Sequence, residues 1–186
     1  YVNGATASLL LLLAFGATAG GAFVREGSRK PYSIRQVLFS NGIRPEEVTK
    51  LRDTGSVTYD PFPLIDDERI PTEQLLLGGK VFRRQCAVCH TMTGSNPVAH
   101  LTATWNEEQM RMNIARLQHT KPFMPPFAGT PRELEALVQY IRWSHDGEPL
   151  DWPVSDDSGV LAEIARWIKE AGPNAANSHS ADGPAS

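Results

Sequence analysis

The sequence predicts an all-α protein, with an N-terminal apolar helix, a compact domain of three main helices and a C-terminal helical extension. Apolar residues recur at helical spacing within about 106–118, 131–144 and 160–171. Residues 72–89 contain no proline and begin with a threonine that can cap a helix. No stretch of useful length alternates apolar and polar residues with a period of two. We therefore expect helices joined by irregular loops, and no sheet.

The N-terminal segment predicts a transmembrane helix over residues 1–24. Residues 5–24 carry no charge, and their centre is the run Leu9–Leu13. Twenty residues at about 1.5 Å each span roughly 30 Å, the thickness of the hydrocarbon layer. The alternative is a signal peptide, because the small residues of 17–22 resemble a cleavage region, but no basic segment precedes the apolar run. Tyr1 indicates that the chain is either processed or a piece of a longer polypeptide.

Three further zones follow the anchor. Residues 25–71 form a basic collar and a linker, residues 72–145 form the compact domain, and residues 146–186 form an extension whose helix is stopped by Gly172. The collar carries the basic side chains Arg25, Arg29, Lys30, Arg35 and Arg44. The net charge of −3 and the lack of a long basic run argue against a nucleic-acid partner.

Capping patterns place the starts of the three main helices. Thr72 precedes the first helix and can accept a hydrogen bond from its first turn. Thr104 and Glu107 have the spacing of a capping box before the second helix. Thr130 and Glu133 have the same spacing at the third helix, where a proline takes the first helical position.

The strongest chemical signal is the run Cys86-Ala87-Val88-Cys89-His90, which has the spacing of a haem-attachment motif. At the end of a helix, positions three and four apart share a face, so both thiols can add to the vinyl groups of one porphyrin. His90 then offers a nitrogen to the iron. A zinc site would require a second pair of ligands, and a redox dithiol would require a strand before the motif. The motif predicts one covalently attached haem c.

The second axial ligand of the iron has several candidates, namely Met92, His100, Met110, Met112, His119 and Met124. Met92 is too close to the motif to reach the opposite face, and Met110 has the pattern of a core residue. Met124 lies in a loop stiffened by three prolines, and a stiff loop can hold a weak thioether ligand against iron. We favour His90 and Met124 as the axial pair, since this ligation raises the potential and suits electron transfer.

These residues carry a resemblance to a known family. The compact domain resembles a class I cytochrome c domain in three segments: Gly79-Lys80-Val81-Phe82, Met124-Pro125-Pro126-Phe127 and Leu137-Val138-Gln139-Tyr140-Ile141. The resemblance implies that the first and last helices cross closely at Gly79, Phe82 and Tyr140. It also implies that the carbonyl of Pro97 or of a neighbour supports the His90 ring. Haem attachment of this type implies that the domain lies on the periplasmic side of the cytoplasmic membrane.

Residues 20–43 resemble the end of cytochrome bd-like quinol oxidase subunits that are fused to cytochrome c, although a basic collar on lipid head groups is the alternative. We expect an electron-transfer subunit whose partners are other subunits of a membrane redox complex, a soluble electron carrier and quinol bound by a partner subunit. A haem enzyme with an open iron position and a sensor with a displaceable Met124 are the alternatives. A carbon monoxide shift in the reduced spectrum distinguishes them.

Two further features of the sequence predict interaction surfaces. Four cations flank the haem motif and the proline-rich loop that contains Met124, which we call the methionine loop: Lys80, Arg83, Arg84 and Lys121. We expect these cations to surround the haem edge and to steer an acidic partner. Gly16 and Gly20 have the spacing that lets a second membrane helix come close. We expect residues 1–44 to pack against another membrane protein.

Overall fold

A computed structural model describes residues 3–28, 37–64, 67–121 and 123–174 of the chain. These residues contain no β-strand, and an isolated parallel bridge joins Thr91 to Pro97. The predicted all-helical class is confirmed. The α-helices are α1 (Gly4–Ser28), α2 (Glu47–Thr54), α3 (Glu73–Gln85), α4 (Val98–Thr102), α5 (Glu107–Ala115), α6 (Leu117–Thr120), α7 (Pro131–His145) and α8 (Ser158–Ala171).

Helix α1 has the length and composition of a membrane span. Its apolar window, Gly4–Arg25, has 22 residues and a mean hydropathy of 2.0, and none of it is buried against the rest of the described chain. At about 1.5 Å per residue it reaches roughly 33 Å, enough to cross a bilayer. Nothing lies within 4 Å of the position that a side chain would take at Gly16 or Gly20. The collar residues Arg29, Lys30 and Arg35 lie outside the described residues.

The caps of α3 and α7 are as predicted. Thr72 accepts a hydrogen bond from the backbone N–H of Leu75 at 3.2 Å. Thr130 and Glu133 form a complete capping box at the start of α7. Each bond satisfies a backbone donor that the first turn of a helix leaves unpaired.

The capping box predicted for Thr104 and Glu107 is wrong. Asn106 caps α5 instead, because its side chain accepts from Gln109 N–H at 2.8 Å and the Gln109 side chain accepts from Asn106 N–H at 3.1 Å. The short helix α4 was not predicted, and the turn that follows it contains residue 104. The cap therefore lies two residues later than predicted, while the helix begins close to the predicted position.

The crossing of α3 and α7 forms the centre of the domain. A methyl group on Gly78 would lie 2.1 Å from the Ala136 carbonyl oxygen, so the two backbones meet at Gly78. One on Gly79 would meet the Leu64 side chain at 2.5 Å and the Tyr140 ring at 3.2 Å. The expected crossing is therefore present, with Gly78 rather than Gly79 at the backbone contact. The Phe82 and Tyr140 rings lie beside it, with centroids 6.1 Å apart.

Segments on both sides of the three main helices contribute to the same core. Val57 from the linker and Ile164, Trp167 and Ile168 from α8 belong to the hydrophobic cluster that α3, α5 and α7 form. A smaller cluster joins Ile43 and Val48 of the α2 region to Ala128. The linker and the extension thus pack on the domain where the structure describes them.

Candidate cofactor site

The two cysteines follow the C-terminus of α3. The helix was expected to continue to Cys89, but it ends at Gln85, and residues 86–89 form turns in which Cys89 N–H and His90 N–H both bond to the Cys86 carbonyl, at 3.1 and 2.9 Å. Both thiols are free rather than joined in a disulfide. Burial, followed by the neighbouring Cys89, raises the pKa of the Cys86 thiol to about 12, while Cys89 is exposed.

The His90 ring is oriented by Asn96, six residues downstream. Its Nδ1 lies 3.0 Å from the carbonyl oxygen of Asn96, and the Asn96 side-chain amide donates to the Cys89 carbonyl at 3.0 Å. Because a carbonyl only accepts, Nδ1 carries the proton, and the lone pair of Nε2 is left for a metal ion. The expected carbonyl support therefore comes from Asn96, the neighbour of Pro97.

The methionine loop connects α6 to α7. Met124 N–H bonds to the Lys121 carbonyl at 2.9 Å, and the Met124 side chain is half-buried. Further along, the Gln85 side chain donates to the Ala128 carbonyl and accepts from Ala128 N–H, both at 3.0 Å. Since Gln85 directly precedes Cys86, these two hydrogen bonds tie the end of the loop to the attachment motif.

The donor set fits haem better than a bare metal ion. Within the described ranges, no group of three or more His, Cys, Asp or Glu side chains is placed to hold an ion. Two free thiols, a histidine with an available Nε2 and a thioether are the groups that bind haem c. Cys86 of the motif packs against the main hydrophobic cluster, and so do the partly buried Met92, Trp105 and Leu117.

Comparison with known families identifies this part of the chain. Residues 73–141 match the family described as cytochrome C oxidase, cbb3-type, subunit III. This segment is a cytochrome c domain. A cytochrome c domain implies haem c and a role in electron transfer. The match does not include residues 20–43, and it gives no support to their resemblance to quinol oxidase subunits. No curated protein and no solved structure matches the chain.

The other axial candidates are spread over the cytochrome c domain. Met110 is 1% exposed and belongs to the core, as its spacing indicated. Met92 and Met112 are partly buried against the same core. The His119 ring donates through Nε2 to the Ala171 carbonyl at 2.9 Å, which binds it to α8. His100 is exposed on α4.

The cations that were expected to ring the haem edge have different surroundings. Arg83 is bound to the linker, where it donates to Asp60 at 2.6 Å and to the carbonyls of Phe62 and Pro63. The hydrogen bond from Arg83 holds the pKa of Asp60 below its ordinary value, although burial opposes the shift. Lys80 is half-buried and lines a cleft of about 520 Å³ beside the linker.

The remaining two cations of that set, Arg84 and Lys121, are exposed. Arg83 cannot steer a partner as an independent charge, since Asp60 neutralises it. The predicted steering then rests on Lys80, Arg84 and Lys121, and it stays a prediction.

Proposed function

We propose that this chain is a membrane-anchored, monohaem c-type cytochrome that transfers electrons within a respiratory membrane complex. The family match supports a cytochrome c domain and is to an oxidase subunit. Helix α1 supports the anchor, because it is long and apolar enough to span a bilayer. Oxidation of quinol or reduction of oxygen would then take place in partner subunits.

The observation that carries the proposal is the fixed orientation of His90. The Asn96 carbonyl oxygen accepts a hydrogen bond from His90 Nδ1–H, with an N···O distance of 3.0 Å, which supports Nε2 as the nitrogen that would bind iron. In this proposal Cys86 and Cys89 would hold one haem covalently, and His90 and Met124 would bind its iron. The haem supplies reversible one-electron chemistry at iron. The count of one follows from the single cysteine motif in the sequence.

The chain's own residues favour electron transfer over substrate chemistry. Pro126, Phe127 and Ala128 are buried, so the loop after Met124 is anchored in the core. An anchored loop keeps the thioether near one position, so Met124 on the iron would leave no open site there for peroxide or oxygen. We infer that Met124 would stay bound in both redox states.

The proposed setting is the outer face of the cytoplasmic membrane, where haem of this type is attached. The flank of α1 contains Arg25, and basic flanks normally stay on the cytoplasmic side. A second membrane helix packed at Gly16 and Gly20 would fix the opposite orientation. Electrons would pass between a partner subunit and a soluble carrier through this domain.

The reduced spectrum of the detergent-solubilised full chain tests the proposal. We expect a low-spin spectrum that carbon monoxide does not change, and a haem stain that persists on a denaturing gel. The double variant Cys86→Ala/Cys89→Ala should lose the stain, while the chain still reaches the membrane. A full carbon monoxide shift in the unaltered protein would instead support the enzyme or sensor alternative.

A single substitution tests the distal ligand. Met124→Ala should abolish the weak charge-transfer band that marks a sulfur–iron bond and should create carbon monoxide binding. Met112→Ala is the matched control, since Met112 lies on α5 and should leave the band in place. If the band survives in Met124→Ala, another methionine supplies the sulfur; if the unaltered protein lacks the band, a histidine is the ligand.

A further inference from the structure

The C-terminus of α8 is bound by side chains that belong to other elements. Arg52 of α2 donates to the carbonyls of Ile168 and Gly172, at 3.1 and 3.0 Å. Gln118 of α6 donates to the carbonyls of Ala171 and Gly172, both at 3.0 Å. The last carbonyls of a helix have no intrahelical partner, so these donors replace water at the helix end.

Arg52 also reaches the methionine loop. Its Nε donates to the Phe127 carbonyl at 3.0 Å, so one guanidinium joins the loop to the end of α8. All three Arg52 bonds go to carbonyls, and no ion pair to a carboxylate is among its contacts in the described chain. The negative end of the α8 dipole favours a cation here. Burial lowers the pKa of Arg52, yet arginine stays charged at any physiological pH.

The two ends of the methionine loop therefore rest on the same support. The loop leaves α6, where Gln118 and His119 are bound to the carbonyls of Ala171 and Gly172. It returns at Phe127, which Arg52 holds against the end of α8. Met124 lies between these two attachments. Holding both ends limits the positions that the thioether can sample.

We propose that Arg52 is a positioning residue for the axial ligand Met124, and that it acts by fastening the Phe127 end of the loop to the C-terminus of α8. This inference rests on the proposed function, because it takes Met124 as an iron ligand. A thioether is a weak ligand, so the bond depends on how little freedom the loop loses when the bond forms. Releasing Phe127 raises that cost and makes Met124 easier to displace.

The test is a titration of the ferric full-length protein with imidazole, which competes with the thioether for iron. Arg52→Met removes the three bonds but keeps an apolar stem of similar length. We expect this variant to bind imidazole at least tenfold more tightly, with a weaker sulfur–iron charge-transfer band. Arg116→Met is the matched control: it removes an exposed cation that pairs with Glu170 on α8 at 3.2 Å. The control should stay within twofold of the unaltered protein.

A purely structural role for Arg52 gives a different pattern. Thermal unfolding would then shift downwards while the imidazole affinity and the band stay unchanged, and this result would overturn the proposal. If Arg52→Met does not fold, Arg52→Lys is titrated instead, because an ammonium cannot replace the guanidinium fork on three carbonyls. A tightening of about threefold is expected, and an unchanged affinity also overturns the proposal.

Met124→Ala in the same titration distinguishes a failure of the proposed iron ligation from a failure of the proposed role of Arg52. If Met124→Ala binds imidazole no more tightly than the unaltered protein, Met124 is not the ligand and the proposed ligation fails. If Met124→Ala tightens binding while the Arg52 variants do not, the ligation stands and only the role of Arg52 fails.

Discussion

At the scale of single residues, Asn96 organises the attachment motif. Its backbone has a φ of 49°, in the left-handed region. In this conformation its backbone carbonyl accepts a hydrogen bond from the His90 ring, and its side-chain amide donates one to the Cys89 carbonyl. Asparagine tolerates this conformation better than most residues with a side chain. Asn96 therefore orients the His90 ring through its backbone and binds the Cys89 backbone through its side chain.

Two substitutions at Asn96 separate these contributions. Asn96→Gly keeps access to the left-handed conformation but loses the bond to Cys89, which we expect to cost about 1 kcal/mol of unfolding free energy. Asn96→Ala loses the same bond and also strains the backbone, adding about 1 kcal/mol. Urea unfolding of both variants measures the difference. Equal stabilities would mean that the backbone conformation is not what selects asparagine.

At the scale of helices, the α3–α7 crossing depends on a single missing side chain. The Ala136 carbonyl is rigid backbone, so a methyl group on Gly78, 2.1 Å from its oxygen, can be accommodated only if the helices separate. The Leu64 Cδ1 that faces Gly79 is the end of a flexible side chain and can move. The two adjacent glycines are therefore unequal in their tolerance of substitution.

Alanine at each position tests this difference. Gly78→Ala should lower the unfolding free energy by about 3 kcal/mol, because overpacking forces the two helices apart. Gly79→Ala should cost about 1 kcal/mol, since rotation of Leu64 relieves the contact. Urea unfolding followed by circular dichroism measures both. If Gly79→Ala proves the more damaging change, the crossing lies one residue further along α3.

A buried ion pair joins α5 to α7. Glu135 is 1% exposed in its side chain and receives two bonds from Arg111, at 2.6 and 2.8 Å. Gln139 donates to Glu135 and to Glu107, which links the pair to the exposed edge of α5. Burial by itself would raise the pKa of Glu135, but the hydrogen bonds from Arg111 and its neighbours outweigh it and hold the pKa below 4.5.

The sign of the pH dependence follows from this shift. A carboxylate with a lowered pKa stabilises the fold above its unfolded pKa, and the stabilisation is lost as the pH falls through the folded pKa. Glu135→Gln should cost about 3 kcal/mol at pH 7 and should flatten the decline in stability below about pH 4.5. Chemical unfolding from pH 7 to pH 3 measures both effects.

The exposed pair Glu163–Arg166 on α8 is the control for that experiment. Glu163→Gln should change the unfolding free energy by less than about 0.5 kcal/mol and should keep the pH slope of the unaltered protein. If Glu135→Gln keeps that slope as well, other groups account for the acid sensitivity.

At the scale of the whole molecule, we propose that the folded unit extends beyond residues 72–145 on both sides. Glu133 at the start of α7 accepts hydrogen bonds from the backbone N–H groups of Ser56 and Val57, at 2.7 and 3.1 Å. Arg52 joins the linker to α8, whose Trp167 and Ile168 are part of the main core. The linker and the extension thus complete a core that three helices leave open.

Limited proteolysis of the detergent-solubilised chain tests this boundary. We expect the resistant species to retain both α2 and α8, identified by mass spectrometry of the fragments that stay associated under native conditions. Trp167→Ala should cost about 3 kcal/mol or more and should expose the extension to early cleavage. Recovery of a stable fragment limited to residues 72–145 would show that the flanking segments are dispensable.

The local features of this protein could be read from its sequence. The apolar span, the caps at Thr72 and Thr130, the all-helical class and the cysteine motif all depend on residues a few positions apart. Capping and helical periodicity are short-range effects, so adjacent residues determine them. The motif at 86–90 predicted haem c for the same reason, since its chemistry is contained in five consecutive residues.

Contacts between distant segments were decided by the tertiary structure alone. Three contacts join residues more than 20 positions apart. Gly78 packs on Ala136, Arg52 of α2 donates to Ile168 of α8, and Asp60 neutralises Arg83. Nothing in the local pattern distinguishes Gly78 from Gly79 or Arg83 from Arg84, because their roles depend on which surface the folded chain brings against them. Burial and charge pairing act through space rather than along the chain. The linker and the extension can therefore bind the two ends of the methionine loop although they are distant from it in the sequence.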